Sequence, residues 1–423
     1  MKEYIPRIVD SIFKLKLETM GAVYVKGAKW CGKTTTSEQF AKSVVYLDDP
    51  ESGESLRAMA EHSPSMLLQG IVPRLIDEWQ LVPSLWDAIR FTVDKRGEDG
   101  QFIIKGSVTP PDDDKKHHSG TGRISRLIMR PMTLAESGNS SKQVSLKDLF
   151  EGNLDINGES SIRIDELAFL ACRGGWPRAC KANRSRNSAL QIAREYIDAI
   201  TSSDITTPEG STINPTLMKH FLRVYARNIG SQIALSDLSR DLTDTIFSEH
   251  TALNYHKRLS ETFVIEDMDA WNPNLRSKTA VRTSPTRYFT DPSLAAASLG
   301  AGPDDLIADM KTFGFILENL CIRDLRVYAQ PLDGDVLHYR DKNNLECDAV
   351  VHLRNGRYGL IEIKMGGQSA IEHGAETLKK LAQKIDTEKM ATPSFLMVLT
   401  GVSPIAYQRA DGVLVVPVGC LCP

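Results

Sequence analysis

The sequence predicts an α/β protein: a parallel sheet with helices on both faces, followed by a helical region and a smaller α/β unit. Three observations carry this expectation. Up to about Glu136, short apolar runs alternate with amphipathic stretches, as strands and crossover helices do in a parallel sheet. The first run leads directly into Gly27-Ala28-Lys29-Trp30-Cys31-Gly32-Lys33-Thr34, which fills every fixed position of the phosphate-binding pattern G-x-x-x-x-G-K-[ST]. A second alternation opens after Gly300-Ala301-Gly302-Pro303, and its strands carry charged residues with period two.

Taken in order, residues 22–25 are a buried strand and 35–42 a helix, so the glycine-rich loop stands at a strand-to-helix turn. There its backbone N–H groups, from Gly27 through Thr34 and on to Thr35, point at phosphate oxygens. Lys33 neutralises β- and γ-oxygens, and the Thr34 hydroxyl ligates Mg²⁺. Residues 44–47 form a second strand. The run 71–76 forms a third and ends in Asp77-Glu78, the acidic pair expected at the carboxyl edge of such a sheet. Asp77 is placed to hold the metal through water and Glu78 to polarise an attacking water. A helix over 84–93, a fourth strand over 101–104 and a fifth over 126–129 complete the unit.

Ser107 or Thr109, just past the fourth strand, is a candidate γ-phosphate sensor. Residues 110–122 read as a mobile polar loop. Beyond it, Arg123, Arg126 and Arg130 are candidates either for an arginine finger, within the subunit or across an interface, or for solvating a sheet edge.

With 423 residues, the chain exceeds a single core and suggests two to four domains. Lys plus Arg number 51 against 54 Asp plus Glu, a formal charge of −3, so any nucleic-acid surface is local. Neither a leader-like N-terminus nor an apolar run of membrane-spanning length is present, which gives a cytoplasmic expectation with no membrane partner. The seven cysteines show no zinc-site or disulfide spacing.

Residues 138–158 lean to Ser, Asn and Gly and read as a loosely ordered connection. Helices follow over 167–172 and 189–200, either side of Gly174-Gly175-Trp176-Pro177, whose Trp is expected to pack. Residues 217–269 have the pattern of a winged helix-turn-helix: helices over 217–229, 234–242 and 249–263, then a strand from Val264. The third helix carries Lys257 and Arg258 opposite an apolar stripe. The segment 271–290 holds Arg276, Lys278, Arg282 and Arg287 with no acidic residue. Nucleic-acid contact is weighed equally against protein docking and a merely solvated basic hairpin for this region.

In the last unit, a helix over 306–325 carries Glu318, and two strands carry Glu346-x-Asp348 and Glu362-x-Lys364. If the strands pair, Asp348, Glu362 and Lys364 converge. That is the arrangement of divalent-metal nucleases, where carboxylates hold Mg²⁺ and a lysine orients the nucleophile, and Glu318 is placed to add a second ion. The same frame serves as a binding module.

The phosphate loop, Tyr46-Leu47-Asp48-Asp49-Pro50, Ile76-Asp77-Glu78-Trp79-Gln80, Ile104-Lys105-Gly106-Ser107, Arg130-Pro131-Met132-Thr133-Leu134-Ala135-Glu136, Gly174-Gly175-Trp176-Pro177 and Tyr288-Phe289-Thr290-Asp291 appear in this order. Together with Glu318, Asp348 and Glu362-x-Lys364 they resemble prokaryotic AAA-like P-loop ATPases that carry a C-terminal winged-helix and restriction-endonuclease-like (PD-(D/E)xK-type) region. Two positions depart from that pattern: Lys105 stands where Thr is usual before Gly-Ser, and Cys347 where Pro precedes the Asp.

The resemblance implies an ATPase domain over 1–137, a linker and helical lid over 138–211, a winged helix over 212–300 and a nuclease-like domain over 301–423. The expected function is Mg²⁺-dependent ATP binding and hydrolysis coupled to DNA through the C-terminal half, with a homo-oligomer as one assembly. The alternative is a nucleotide-controlled switch toward a protein partner, with the nuclease-like fold as scaffold.

Overall fold

A computed structural model of the chain describes residues 4–106, 121–202, 214–240, 248–273, 283–386 and 390–423. The chain forms two compact units, Met1–Arg130 with Glu261–Phe263, and Pro131–Ser260 with Val264–Pro423.

In the first unit, β1 (Ala22–Lys26), β2 (Ser43–Tyr46), β3 (Arg74–Asp77), β4 (Phe102–Lys105) and β5 (Ile124–Ile128) make one parallel sheet, as the sequence predicts. Their order is β2-β3-β4-β1-β5. β1 and β4 are apolar almost throughout and buried because the crossover helices cover both faces of the sheet. The helices Lys33–Phe40, Gly53–His62 and Ser84–Arg96 lie between the strands. Against the sheet packs an aromatic cluster in which the Trp79 and Trp86 rings lie 5.1 Å apart and Tyr24 meets Trp86 edge-on at 5.6 Å. Such pairs each add about 0.5–1.5 kcal/mol beyond area burial.

Three local expectations shift. The helix after the phosphate loop begins at Lys33 rather than residue 35, because Gly32 turns the chain through the left-handed region at φ 103°. β3 begins at Arg74, after Pro73, which has no N–H for a ladder, and Ile71 is left exposed. The helix Val9–Thr19 had no counterpart in the sequence reading, although Val9 and Phe13 bury its inner face.

In the second unit, the strands are β6 (Val144–Ser145), β7 (Gly158–Glu159), β8 (Gly334–Arg340), β9 (Glu346–Leu353), β10 (Tyr358–Lys364), β11 (Phe395–Thr400), β12 (Ile405–Gln408), β13 (Leu414–Pro417) and β14 (Leu421–Cys422). Seven of them form a mixed sheet in the order β7-β12-β13-β11-β10-β9-β8, and β14 pairs with β6. The segment 138–158 is therefore not a loose connection. It supplies β6, β7 and the helix Leu146–Glu151, which is capped by Ser145 accepting from the Asp148 N–H. The two-residue strands escaped the sequence reading because their partners lie near the end of the chain.

Several of the ordered landmarks meet in a buried knot of this unit. Gly175 N–H donates to Asp291 at 2.9 Å, Arg323 bridges Asp291 at 2.9 Å and Asp324 at 2.7 Å, and Asp324 accepts from the Leu134 N–H at 3.0 Å. Trp176 packs, as expected: it stacks on Tyr196 at 4.7 Å and donates to Ser293. A Cβ at Gly175 would fall 1.9 Å from the Met132 carbonyl, so only glycine lets these two segments approach.

The helices Pro215–Arg227, Leu235–Arg240 and Glu249–Glu261 follow the predicted order. After them, the expected strand at Val264 is reduced to single bridges, Ile265 with Phe289 and Met268 with Thr286. Among the described residues no helix is long and apolar enough to cross a membrane.

Candidate functional site

Parallel strands deliver their carboxyl ends to one edge, and the register there is a row across the sheet: Val25 beside Lys105, and Lys105 beside Asp77. The phosphate loop leaves β1 just beyond this row. Gly27 has φ 148° and its position would put a Cβ 2.0 Å from the Met129 carbonyl, so the loop lies tight on the chain after β5. Ala28 and Cys31 are buried, Lys29 is half-buried, and Trp30 and Thr35 are exposed. Lys33 is buried and donates to the Gly27 and Ala28 carbonyls, both at 2.7 Å, within the loop. Burial lowers its pKa.

Arg7 braces this loop from outside the motif. Its guanidinium donates to the Cys31 carbonyl at 2.9 Å and to the Arg130 carbonyl at 2.8 Å. No sequence pattern marks it; only its place before a helix start hints at a fixed position.

Thr34 Oγ1 lies 3.4 Å from Asp77 Oδ2. A hydroxyl and a carboxylate this close are hard oxygen donors that would suit Mg²⁺, Thr34 directly and Asp77 through water. The other Asp77 oxygen is held by Lys105 Nζ at 2.8 Å. Lys105 also pairs with Glu78, which accepts from Gln80 as well. Burial holds the Asp77 carboxyl above its ordinary pKa although Lys105 pulls the other way. For Lys105, burial acts to lower the pKa, and the hydrogen bonds to Asp77 and Glu78 overcome it and raise it. Glu78 sits at φ 54°, a left-handed conformation unusual for a residue with a side chain. Lys105 is the site residue that sequence reasoning passed over. A lysine ending a strand is common, and only the strand order reveals that its neighbour is the acidic pair.

Ser107 and Thr109 lie outside the described residues, as does most of the predicted loop 110–122. Arg123 is exposed and pairs with Asp94 at 2.7 Å. It precedes Ile124, which is level with Ala22 at the start of β1, whereas the loop leaves the opposite end. Four residues of strand at about 3.3 Å each separate the two edges. With respect to its own loop, Arg123 therefore takes the sheet-edge alternative. Arg126 is exposed on the same edge strand, level with Tyr24.

In the second unit, β9 and β10 pair antiparallel, and Asp348, Glu362 and Lys364 converge. Lys364 Nζ lies 2.6 Å from Glu362 and 3.3 Å from Asp348, and Asp348 also accepts from the Ile363 N–H at 2.7 Å. Glu318, partly buried on the helix Met310–Ala329, accepts from the Tyr288 hydroxyl. Burial, then the charge of Asp348, pushes both Glu318 and Glu362 up to about 8. Several carboxyls facing one ammonium keep a proton. Among the described residues no group of three or more His, Cys, Asp or Glu side chains is arranged to hold a metal, and Lys364 pairs with both Asp348 and Glu362. Glu346 leaves the cluster and pairs with Arg340 at 3.1 Å.

Of the predicted nucleic-acid contacts, Lys257 is exposed and Arg258 half-buried on the helix Glu249–Glu261, while Arg276, Lys278 and Arg282 lie outside the described residues. Arg287 is corrected. It is buried, bridges Asp267 and donates to the Ile233 carbonyl at 3.0 and 3.1 Å. Its neutralising acid lies just upstream of the acid-free segment and so escaped the composition argument.

Residues 20–138 match a family model described as AAA domain. Residues 164–305 and 313–421 match two models described as domains of unknown function (DUF8612 and DUF4143). Uncharacterized proteins of Mycobacterium bovis and Mycobacterium tuberculosis are each 25% identical over 346 residues, covering 81% of this chain and 70% of theirs. A Walker-type ATPase of Pyrococcus abyssi aligns with TM-score 0.44 and 13% identity, covering 70% of this chain and 96% of its own. The AAA-domain match spans the phosphate loop, Asp77, Glu78 and Lys105, and supports a nucleotide-binding P-loop ATPase unit.

Proposed function

We propose that the chain binds and hydrolyses ATP with Mg²⁺ and couples that cycle to DNA through its C-terminal half. The observation that carries the first part is the approach of Thr34 and Asp77 at 3.4 Å beside Lys33 and Glu78, at the carboxyl edge of a parallel sheet. Lys33 leaves the loop carbonyls for the β- and γ-oxygens, and the backbone N–H groups of residues 27–35 face the same phosphates. Thr34 and Asp77 hold Mg²⁺, which when bound neutralises phosphate charge. Glu78 orients and accepts a proton from the attacking water. Arg126 or Arg123 reaches a phosphate only from a second subunit of a homo-oligomer.

The convergence of Asp348, Glu362 and Lys364 on paired strands, with the exposed Lys257 on the helix Glu249–Glu261, supports a winged-helix and restriction-endonuclease-like half that meets DNA. A second reading, a nucleotide-controlled switch toward a protein partner, is favoured by the burial of Arg287 and by the closure of the carboxylate cluster on Lys364. Titration with duplex DNA at several salt concentrations separates the two. DNA coupling gives binding that weakens steeply with salt and is reduced in Lys257→Ala; the switch gives neither. Loss of Mn²⁺-dependent nicking in Asp348→Ala would mark the C-terminal cluster as a nuclease centre, and absence of nicking from the wild-type protein would leave it a scaffold.

A further inference from the structure

The strand order puts β4 between the strand that feeds the phosphate loop and the strand that ends in the acidic pair. Lys105, at the end of β4, is therefore the one position in the register row flanked by both, with Val25 on one side and Asp77 on the other. Its side chain is buried and bridges Asp77 at 2.8 Å and Glu78. The two carboxylates proposed for metal binding and water activation are thus joined through one ammonium. A dication at Thr34 and Asp77 competes with that ammonium for the charge of the carboxylate, because Oδ2 faces Thr34 while Oδ1 is held by Lys105. The ammonium must then find another anion, and the nearest that a nucleotide supplies is its terminal phosphate.

We propose that Lys105 is a latch on the hydrolytic carboxylates, a positioning residue that holds Asp77 and Glu78 in an ion pair until a γ-phosphate takes its charge. This rests on the ATP reading above and adds regulation of the same site. A diphosphate offers Lys33 its β-oxygens but leaves Lys105 on the acids, so metal capture and alignment of Glu78 follow the triphosphate alone.

The test compares wild type with Lys105→Met and Lys105→Gln. Binding of Mg²⁺-ADP and of a non-hydrolysable Mg²⁺-ATP analogue is followed by fluorescence of Trp30, the exposed tryptophan of the loop. Binding of Mn²⁺ to the nucleotide-free protein is followed by electron paramagnetic resonance. In both variants the preference for triphosphate over diphosphate falls about tenfold, and Mn²⁺ binds about tenfold tighter because Asp77 no longer pairs with an ammonium. The glutamine variant keeps a hydrogen bond to Asp77 and carries the test should the methionine variant fail to fold. An unchanged triphosphate-to-diphosphate ratio and unchanged Mn²⁺ affinity in a folded variant would overturn the latch. Failure of wild type to bind either nucleotide would instead remove the ATP reading on which it rests.

Discussion

Replacing Arg287 by Met removes one partner of a buried ion pair and separates two views of the helical region. The guanidinium is almost fully buried, meets Asp267 and donates two hydrogen bonds to the Ile233 carbonyl, while Asp267 also accepts from His256 at 2.8 Å and from Tyr225. Burial acts to raise the Asp267 pKa, and the His256 hydrogen bond, Arg287 and Tyr225 outweigh it and lower it. Stripping the cation leaves a buried carboxylate short of charge and a carbonyl short of donors, at a cost of about 3–5 kcal/mol. The exposed Lys257→Ala should stay within about 0.5 kcal/mol. Urea denaturation with a constant m-value reads the difference as a shift of midpoint. Because Asp267 is depressed in the folded state, its contribution is full above the unfolded value of about 4 and is lost as pH falls through its lower folded value, so the gap between wild type and variant narrows in acid. A loss under about 1 kcal/mol together with weakened DNA binding would return Arg287 to a surface role and refute the internal network.

Other expectations follow from the same structure. Gly175→Ala should cost about 2–3 kcal/mol in urea denaturation, because the added methyl meets the Met132 backbone carbonyl rather than a movable side chain; a neutral result would mean that the knot tolerates a wider approach. Glu318 and Glu362, raised to about 8, bind protons in the folded state that the unfolded chain releases near pH 4.3, so their contribution is full below that value and lost as pH rises toward 8. The stability of the second unit should therefore decline across that window, and Glu318→Gln should flatten the slope; an identical slope in the variant would remove Glu318 from the cluster. Lys33→Ala is expected to remain folded while its nucleotide affinity falls at least a hundredfold, since charge-assisted contacts of about 1.5–3 kcal/mol each are lost; retained affinity by equilibrium binding would contradict the role given to the loop.

What the sequence disclosed depended on whether the relevant partners are close in the chain or recur at a fixed period. The phosphate loop is contiguous, so Gly27, Gly32, Lys33 and Thr34 were legible, and the apolar runs gave all five parallel strands to within a few residues. Asp348, Glu362 and Lys364 were legible because period two fixes which side chains share a face once β9 and β10 pair. Lys105 was not, since its partners Asp77 and Glu78 belong to a different strand and nothing local specifies the order β3-β4-β1. Composition misread Arg287 for a related reason: a window free of acidic residues says nothing about Asp267 outside it. Residues 138–158 look unpatterned because strands of two residues carry no period, and the pairing of β6 with β14 spans most of the chain. The direction of β5 decided Arg123, because a parallel strand carries its first residues away from the edge where the loop binds.

The most direct measurement is phosphate release from the purified protein with ATP and Mg²⁺, alone and with duplex DNA, using Glu78→Gln as the blank. Turnover in the wild type, its loss with ATP still bound in Glu78→Gln, and stimulation by DNA are expected. Turnover undiminished in Glu78→Gln would contradict the assignment of the hydrolytic carboxylate, and absence of both ATP binding and turnover in the wild type would contradict the central claim.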